Sequence, residues 1–175
     1  MNLNDLRDKL KQADNSPQQW DPPLCGEIDL VIKYDGSWHY QGSVISRPEI
    51  VRLFASVLRR KEQLYLLVTP VEKLIIQVED APFVVTQWNQ LQGLIYLTTS
   101  VGEEVCISEQ HPIKLLPSPH TGEVLPYCEI RENLMARIHQ NVFYQLAACG
   151  QIEQHQNASC LMLQSGDYKF SLGEV

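Results

Sequence analysis

Short segments with apolar residues at every second position recur from Ile28 to the C-terminus, and this pattern constrains the fold most strongly because period two is that of a β-strand. The segments IDLVIKY and WHYQGSVI flank Asp35-Gly36, a residue pair typical of a hairpin turn. Nine further strands are predicted, at QLYLLV, KLIIQVE, FVVTQWNQ, GLIYLTT, YCEIREN, LMARI, QIEQ, SCLMLQS and DYKFSLG. The chain is therefore predicted to be rich in β-structure.

Three segments have helical periodicity instead. Leucines at positions 3, 6 and 10 predict a short amphipathic N-terminal helix. A second helix is predicted from Pro48, with Arg59, Arg60 and Lys61 at its C-terminal end, where cations complement the helix dipole. Its apolar stripe consists of Ile50, Leu53, Phe54, Val57 and Leu58. A third helix is predicted at NVFYQLAACG, and Gly150 ends it.

The net charge of −7 argues against a protein that binds a nucleic-acid polymer or an anionic membrane along its whole surface. The N-terminal residues mix charges with leucines and lack the apolar core of a signal peptide, and no apolar run reaches the roughly 20 residues of a membrane span. The expected location is the cytoplasm. Five cysteines without a CxxC pair predict reduced thiols, most of them buried as small apolar side chains.

Common catalytic motifs are absent from the sequence. It contains neither GxxxxGK[ST] nor GxGxxG, and neither GxSxG nor HExxH. Histidines show no paired metal spacing, and carboxylate pairs or Cys-His dyads are too common in any such chain to be diagnostic. The sequence therefore predicts no catalytic residue, no metal and no cofactor.

Arg47 is the one residue that suggests a binding site without help from a family. It precedes Pro48 at the predicted start of a helix, where unpaired N–H groups and a guanidinium together suit a phosphate or carboxylate. The alternative is a solvated flank paired with Glu49. Two aromatic residues, Trp38 and Phe83, offer faces for stacking on a flat ligand or belong to the core.

Several stretches resemble one family in order and spacing. The matching elements are CG at 25–26, DGxW at 35–38, QGxxIxR at 41–47, TPVE at 69–72 and EDAPF at 79–83. Together they resemble the uncharacterised bacterial family numbered 1285 in the domain-of-unknown-function series. The segments ISRPEIVRLFAS and IHQNVFYQLAAC resemble each other too, but they are too short to prove an internal repeat.

The resemblance implies an α+β fold made by duplication, with two related β-rich halves, each with a helix, and a C-terminal half superficially like a pleckstrin-homology domain. The expected domains are an N-terminal helix and arm at residues 1–24, an α+β domain at 25–100 and the pleckstrin-like domain at 101–175. It also implies a nucleotide-like ligand held between the halves and a role in bacterial signal transduction.

Six residues are assigned to that ligand. Arg47 takes a phosphate, Glu72 or Asp80 accepts hydrogen bonds from ribose hydroxyls, Thr69 supplies a hydroxyl, and Trp38 or Phe83 stacks on the base. The alternative is that TPVE and EDAPF only specify a hairpin and its packing, with Pro70 and Pro82 restricting the backbone.

The expected function is that of a non-enzymatic ligand-binding or sensor protein. One alternative is a protein–protein adaptor that presents sheet edges to a signalling partner. The other is a hydrolase that uses the same cleft.

Overall fold

The computed structural model describes residues 2–13 and 17–175 and has an α+β fold, as predicted. Its contacts divide the chain into two compact units, Met1–Glu79 (unit 1) and Asp80–Val175 (unit 2). The division comes earlier than the boundary at 100/101 that the sequence suggests. The reason is that the strands between residues 83 and 99 pair with strands of unit 2.

Unit 1 contains a six-stranded sheet and two helices. The strands are β1 (Leu24–Ile32), β2 (Trp38–Tyr40), β3 (Ser43–Val44), β4 (Leu58–Lys61), β5 (Leu64–Val68) and β6 (Lys73–Val78), and the helices are α1 (Leu3–Lys11) and α2 (Pro48–Ser56). The strand order is β3-β2-β1-β6-β5-β4. Two three-stranded meanders meet where β1 pairs in parallel with β6, and the other neighbours are antiparallel.

Unit 2 repeats this topology and adds to it. Its strands and helix are β7 (Phe83–Leu91), β8 (Leu94–Thr99), β9 (Glu104–Cys106), β10 (Ile113–Pro117), β11 (Val124–Arg131), β12 (Leu134–Ile138), α3 (Gln140–Cys149), β13 (Gln151–His155), β14 (Ala158–Ser165) and β15 (Tyr168–Glu174). The first sheet has the order β10-β11-β12-β7-β8-β9, with β7 parallel to β12. Strands β13, β14 and β15 form a separate antiparallel sheet.

The repeat is therefore one of sheets, not of helices. In each unit the first strand of one meander pairs in parallel with the last strand of the next. Helix α2 lies between the two meanders of unit 1, whereas α3 follows the second meander of the corresponding sheet in unit 2. The two similar segments found in the sequence thus begin at different points of the two sheets.

Helix α2 begins where the sequence predicts and ends earlier. Pro48 occupies the first turn, and the apolar face buries Ile50, Phe54 and Ala55. Val57 is the C-cap, and the chain continues directly into β4, where Leu58 pairs with Leu67 of β5. Placing Arg59, Arg60 and Lys61 at a helix end was wrong, because the pairing with β5 overrides the helical spacing. These cations lie on an edge strand, where charges discourage pairing with another chain.

Each unit has its own apolar core. The largest side chains with almost no exposure are Leu6, Leu30, Ile32, Trp38, Phe54 and Leu67 in unit 1, and Phe83, Leu97, Ile107, Ile130, Leu134 and Leu146 in unit 2. Helix α1 contributes Leu6 and Leu10 to the first core. Among the helices in the described residues, none is both long enough and apolar enough to cross a membrane.

Replacing Phe54 tests how α2 is held. Its ring is 0% exposed, so Phe54→Ala leaves a cavity and should lower the free energy of unfolding by about 3–5 kcal/mol in a urea titration. Arg52→Ala, at an exposed position of the same helix, should change it by less than about 0.5 kcal/mol. Equal effects of the two substitutions would contradict the packing of α2 described above.

Candidate functional site

The TPVE turn between β5 and β6 is closed by its own side chains. Thr69 is 0% exposed, and its hydroxyl oxygen accepts hydrogen bonds from the backbone N–H groups of Glu72 at 3.1 Å and Val71 at 3.3 Å. The backbone N–H of Thr69 donates to the carbonyl of Glu72 at 2.9 Å. A buried hydroxyl used in this way specifies the turn, as hydroxyl and carboxamide side chains often do.

Glu72 connects this turn to helix α1. Its carboxylate accepts a hydrogen bond from Lys9 Nζ at 3.2 Å, and its side chain is only 10% exposed. Lys9 lies in the last turn of α1. The glutamate therefore joins two parts of unit 1 that are 63 residues apart in the sequence.

The EDAPF segment spans the division between the units. Glu79 ends unit 1, where its carboxylate accepts from the backbone N–H of Tyr34 at 2.7 Å and from Lys33 at 3.2 Å. Asp80 begins unit 2, and Phe83, which is 0% exposed, begins β7 with the Arg131 guanidinium 5.5 Å from its ring centroid. Adjacent acidic residues thus belong to different units.

Asp80 is the centre of a buried polar network in unit 2. Its side chain is 1% exposed and lies 3.3 Å from Arg137 Nε, whose side chain is 7% exposed. It accepts hydrogen bonds from the Tyr127 hydroxyl at 2.9 and 3.1 Å and from the Ser118 hydroxyl. Burial raises the pKa of Tyr127 well above its usual range, and the neighbouring carboxylate raises it further, so that the phenol stays a donor.

Most of the six predicted ligand contacts are therefore engaged in the protein itself. Trp38 is 1% exposed, and its indole nitrogen has no hydrogen-bond partner in the described part of the chain. Thr69, Asp80 and Phe83 are equally inaccessible, and Glu72 pairs with Lys9. Thr69 and Glu72 lie together in one turn of unit 1, whereas Asp80 and Phe83 belong to unit 2. Their ligand-binding roles stay predictions. In the structure these residues pack in the core, close a turn or form ion pairs.

Arg47 differs from the other five because it is exposed. It is the N-cap of α2 and provides no side-chain cap, and within residues 2–13 and 17–175 its guanidinium forms no ion pair or hydrogen bond. The alternative interpretation, in which Arg47 pairs with Glu49, is not supported, because no such pair is present in those residues. A free guanidinium at a helix N-terminus is therefore available to an anion.

A cleft of about 250 Å³ opens beside Arg47 and is built by unit 1 alone. Helix α1, strands β2 and β3 and the start of α2 form its walls. The polar lining residues are Asn4, Tyr40, Ser43, Ser46 and Arg47, and the apolar ones are Leu3, Val44, Ile45 and Ile50. Amide, hydroxyl and guanidinium donors thus surround one cavity that contains no acidic side chain.

The two units differ sharply in charge. Residues 1–79 contain ten Lys and Arg against eleven Asp and Glu, whereas residues 80–175 contain four against ten, so the net charges are −1 and −6. All four cations of residues 80–175 are in ion pairs: Lys114 with Glu129, Arg131 with Glu103, Arg137 with Asp80, and Lys169 with Glu153. No cation of unit 2 is left free for an anionic ligand.

The clefts of unit 2 reflect this charge. One of about 390 Å³, between the loop after β9 and the β14–β15 hairpin, has Glu109 and Asp167 as its charged lining residues. Another of about 270 Å³ contains Glu153 and Lys169, which neutralise each other. Carboxylates repel phosphate, so an anionic ligand is favoured in the cleft at Arg47.

The cysteines do not follow the prediction of mostly buried thiols. Among the five, Cys128 is buried, Cys106 and Cys160 are half-buried, and Cys25 and Cys149 are exposed. Burial raises the pKa of the Cys128 thiol to about 12, so this group stays protonated near neutral pH. In the described residues, no group of three or more His, Cys, Asp or Glu side chains could hold a metal ion.

Four lining residues of the Arg47 cleft, Asn4, Tyr40, Ser43 and Ser46, were not among the predicted contacts. Ser43 and Ser46 lie in SVISR, immediately before the helix start. Their closeness to Arg47 in the sequence could have indicated them as further contacts for an anion. Asn4 could not be found in this way, because it is distant in sequence and comes to the cleft through the packing of α1.

The two six-stranded sheets of like topology, one in each unit, place the chain in a class of two-unit α+β proteins with a duplicated core. The family model described as "Domain of unknown function (DUF1285), N-terminal domain" matches residues 17–81, and "Protein of unknown function (DUF1285), C-terminal domain" matches residues 82–172. The chain belongs to the DUF1285 family, as the motifs predicted.

Solved structures agree with this assignment. A DUF1285 family protein from Silicibacter pomeroyi DSS-3 is 39% identical, with 99% of this chain and 96% of that chain covered and a TM-score of 0.84. A DUF1285 family protein from Shewanella baltica OS155 is 27% identical, with 68% and 90% covered and a TM-score of 0.55. A comparison with curated proteins finds no match.

The Asp80 network predicts a large effect on stability. Asp80→Ala removes the carboxylate that faces the buried Arg137 guanidinium, which should cost about 3–5 kcal/mol of unfolding free energy in chemical denaturation. Glu153→Ala breaks an exposed pair and should cost no more than about 1 kcal/mol.

The double variant Asp80→Leu, Arg137→Met removes both charges and should recover much of the loss, because burying the guanidinium without the Asp80 carboxylate is the main cost. A double variant as unstable as Asp80→Ala, or an Asp80→Ala protein as stable as the wild type, would contradict this account of the network.

Proposed function

We propose that this protein is a non-enzymatic ligand-binding protein of the bacterial cytoplasm, which binds a phosphate-bearing, nucleotide-like small molecule and acts as a sensor in signal transduction. The phosphate is bound by Arg47 and by the hydroxyl groups of Tyr40, Ser43 and Ser46 that line the same cleft. The observation that carries the proposal is the exposed guanidinium of Arg47, free of any partner in the described residues, at the edge of a cleft lined by neutral donors.

Size and charge both support this choice of ligand. Small-molecule pockets are usually about 300–1,000 Å³, so a cleft of about 250 Å³ suits the phosphorylated end of a ligand and leaves the rest exposed. Arginine binds phosphate through two parallel hydrogen bonds, and serine and tyrosine hydroxyls can complete the set of donors. The acidic unit 2 would steer an anion away from its own surface.

A sensor role requires that the ligand favour one arrangement of the protein over another. The cleft offers a means for this, because its walls come from α1, from two strands and from α2. A ligand that contacts all of them stabilises the arrangement in which they lie together. The signalling partner in this proposal is a protein that binds that arrangement.

Strand β13 favours the adaptor function as a second candidate. It is an edge strand, paired only with β14, and it exposes 68% of Ile152. An open edge with an exposed apolar side chain can accept a strand from another protein. A stoichiometric partner that is lost on Ile152→Lys, in the absence of any nucleotide binding, would favour the adaptor over the small-molecule sensor.

Arg47→Ala should weaken ligand binding at least tenfold, since charge-assisted hydrogen bonds to phosphate contribute about 1.5–3 kcal/mol. The ligand is found first by a thermal-shift screen of mononucleotides, cyclic nucleotides and dinucleotide second messengers. At one hundred times its dissociation constant, a ligand adds about 2.7 kcal/mol of stability. Calorimetric titration of the best ligand then measures the affinity of each variant.

The matched control is Arg52→Ala, which removes the same charge from an exposed position of α2 outside the cleft. It should leave the affinity nearly unchanged, and neither variant should change the melting temperature of the free protein. Equal loss of affinity in both variants would mean non-specific attraction, and a marked drop in the melting temperature of Arg47→Ala would mean a structural role for Arg47.

A further inference from the structure

We propose that helix α1 is part of the anion site: Asn4 contacts the bound phosphate, and Glu72 of the TPVE turn positions α1 for this contact through Lys9. The inference rests on the proposed function, because it assumes a phosphate beside Arg47. The turn is closed by Thr69 without the ion pair between Lys9 and Glu72, so this pair can serve to position α1.

Asn4 is placed to act on the same ligand as Arg47. Both residues line the cleft of about 250 Å³, together with Ser43 and Ser46. The side chain of Asn4 is exposed, and its amide nitrogen can donate two hydrogen bonds to phosphate oxygens. The helix is capped by the neighbouring residues Asn2 and Asp5, so Asn4 is not needed for capping.

Helix α1 depends on tertiary contacts for its position. It has nine residues, fewer than the 12–15 or so that an isolated helix needs to be even marginally stable in water. Leu6 and Leu10 attach one face to the core of unit 1, and Lys9 pairs with Glu72 at 3.2 Å. Lys9 follows Asn4 by five residues, or about 7.5 Å of helix, so the pair restricts the rotation of the helix that presents Asn4.

Glu72 is itself fixed in position. The Thr69 hydroxyl holds its backbone N–H, and its carboxylate is nearly buried against α1. Such a carboxylate needs a partner, and Lys9 supplies it. The TPVE sequence thus specifies a turn and also places the Glu72 carboxylate where it pairs with Lys9 of α1.

A substitution at Glu72 can show whether this residue positions α1 or acts only through its charge. The two roles predict opposite changes in phosphate affinity. Glu72→Lys raises the net charge of unit 1 by two, and Coulomb attraction alone would then strengthen anion binding. It also repels Lys9 and displaces α1, which removes Asn4 from the ligand. If Glu72 positions the helix, affinity falls although the charge has become more favourable.

The experiment is a titration of the full chain with inorganic phosphate. Binding is followed by the backbone amide signals within residues 46–50 in two-dimensional NMR spectra, namely those of Ser46, Arg47, Glu49 and Ile50, since Pro48 has no amide proton. Glu72→Lys and Asn4→Ala should each weaken phosphate binding by about three- to tenfold. Asp21→Lys is the matched control, because Asp21 pairs with Lys73 in the same unit and undergoes the same change of charge, and it forms no ion pair with the described residues of α1. It should bind phosphate as well as the wild type or better.

The charge-swapped double variant Lys9→Glu, Glu72→Lys restores an ion pair at the wild-type net charge and should return to within about twofold of the wild-type affinity. Hydrogen exchange of the α1 amides reports the helix directly: it should be faster in Glu72→Lys and close to the wild-type rate in the double variant. The amides outside α1, followed in the same experiment, should exchange at the wild-type rate and so show that the single variant is otherwise folded.

The outcomes are distinct. If phosphate does not shift the signals of residues 46–50 in the wild type, the proposed function fails and this inference fails with it. A second outcome is that the wild type binds phosphate and Arg47→Ala abolishes binding, which supports the proposed function. If Glu72→Lys then binds phosphate as tightly as Asp21→Lys, only the inference fails, whatever the exchange rate of the α1 amides. Unchanged affinity in Asn4→Ala overturns the contact assigned to Asn4.

Discussion

The parallel pairing of the first and last strands is the interaction on which each unit depends. In unit 1 it joins β1 to β6, and in unit 2 it joins β7 to β12. Without it, each sheet would be two separate three-stranded meanders, each with two open edges. Parallel neighbours need a long connection, and in unit 1 that connection contains α2. In unit 1 this connection places Arg47 at the start of a helix, a short distance after β3, whereas the described residues of the corresponding connection in unit 2 contain no helix.

The distribution of charge separates the two units chemically. In unit 2 the four cations neutralise carboxylates, and one of these pairs, Asp80 with Arg137, is buried with a serine and a tyrosine. A buried ion pair adds little net stability over apolar residues of the same volume, although removal of one partner is costly. In unit 1 the cation at the start of α2 has no such partner in the described residues, and it faces neutral donors. The Asp80 network of unit 2 therefore has the character of a structural core, whereas the cleft at Arg47 in unit 1 suits an anionic ligand.

Local patterns predicted most of the fold, and long-range contacts account for the rest. Period-two segments and the Asp35-Gly36 turn located the strands, and Pro48 located the start of α2. The end of that helix was missed because Val57 and Leu58 suit a helix and a strand equally, and pairing of Leu58 with Leu67 decides between them. Burial of Asp80 was unpredictable, since Tyr127 and Arg137 are distant in sequence. Arg47 was predicted from its position alone, whereas Asn4 joins the cleft through the packing of Leu6 and Leu10.

A crystal structure of the protein with a phosphate-bearing nucleotide is the most direct measurement of where an anion binds. The phosphate is expected in the cleft of unit 1, with its oxygens within hydrogen-bonding distance of the Arg47 guanidinium and of the Glu49 backbone N–H. Pro48 has no N–H, and that of Ile50 donates to the Arg47 carbonyl. A nucleotide found against Glu109 and Asp167 of unit 2, with the Arg47 cleft empty, would contradict this expectation.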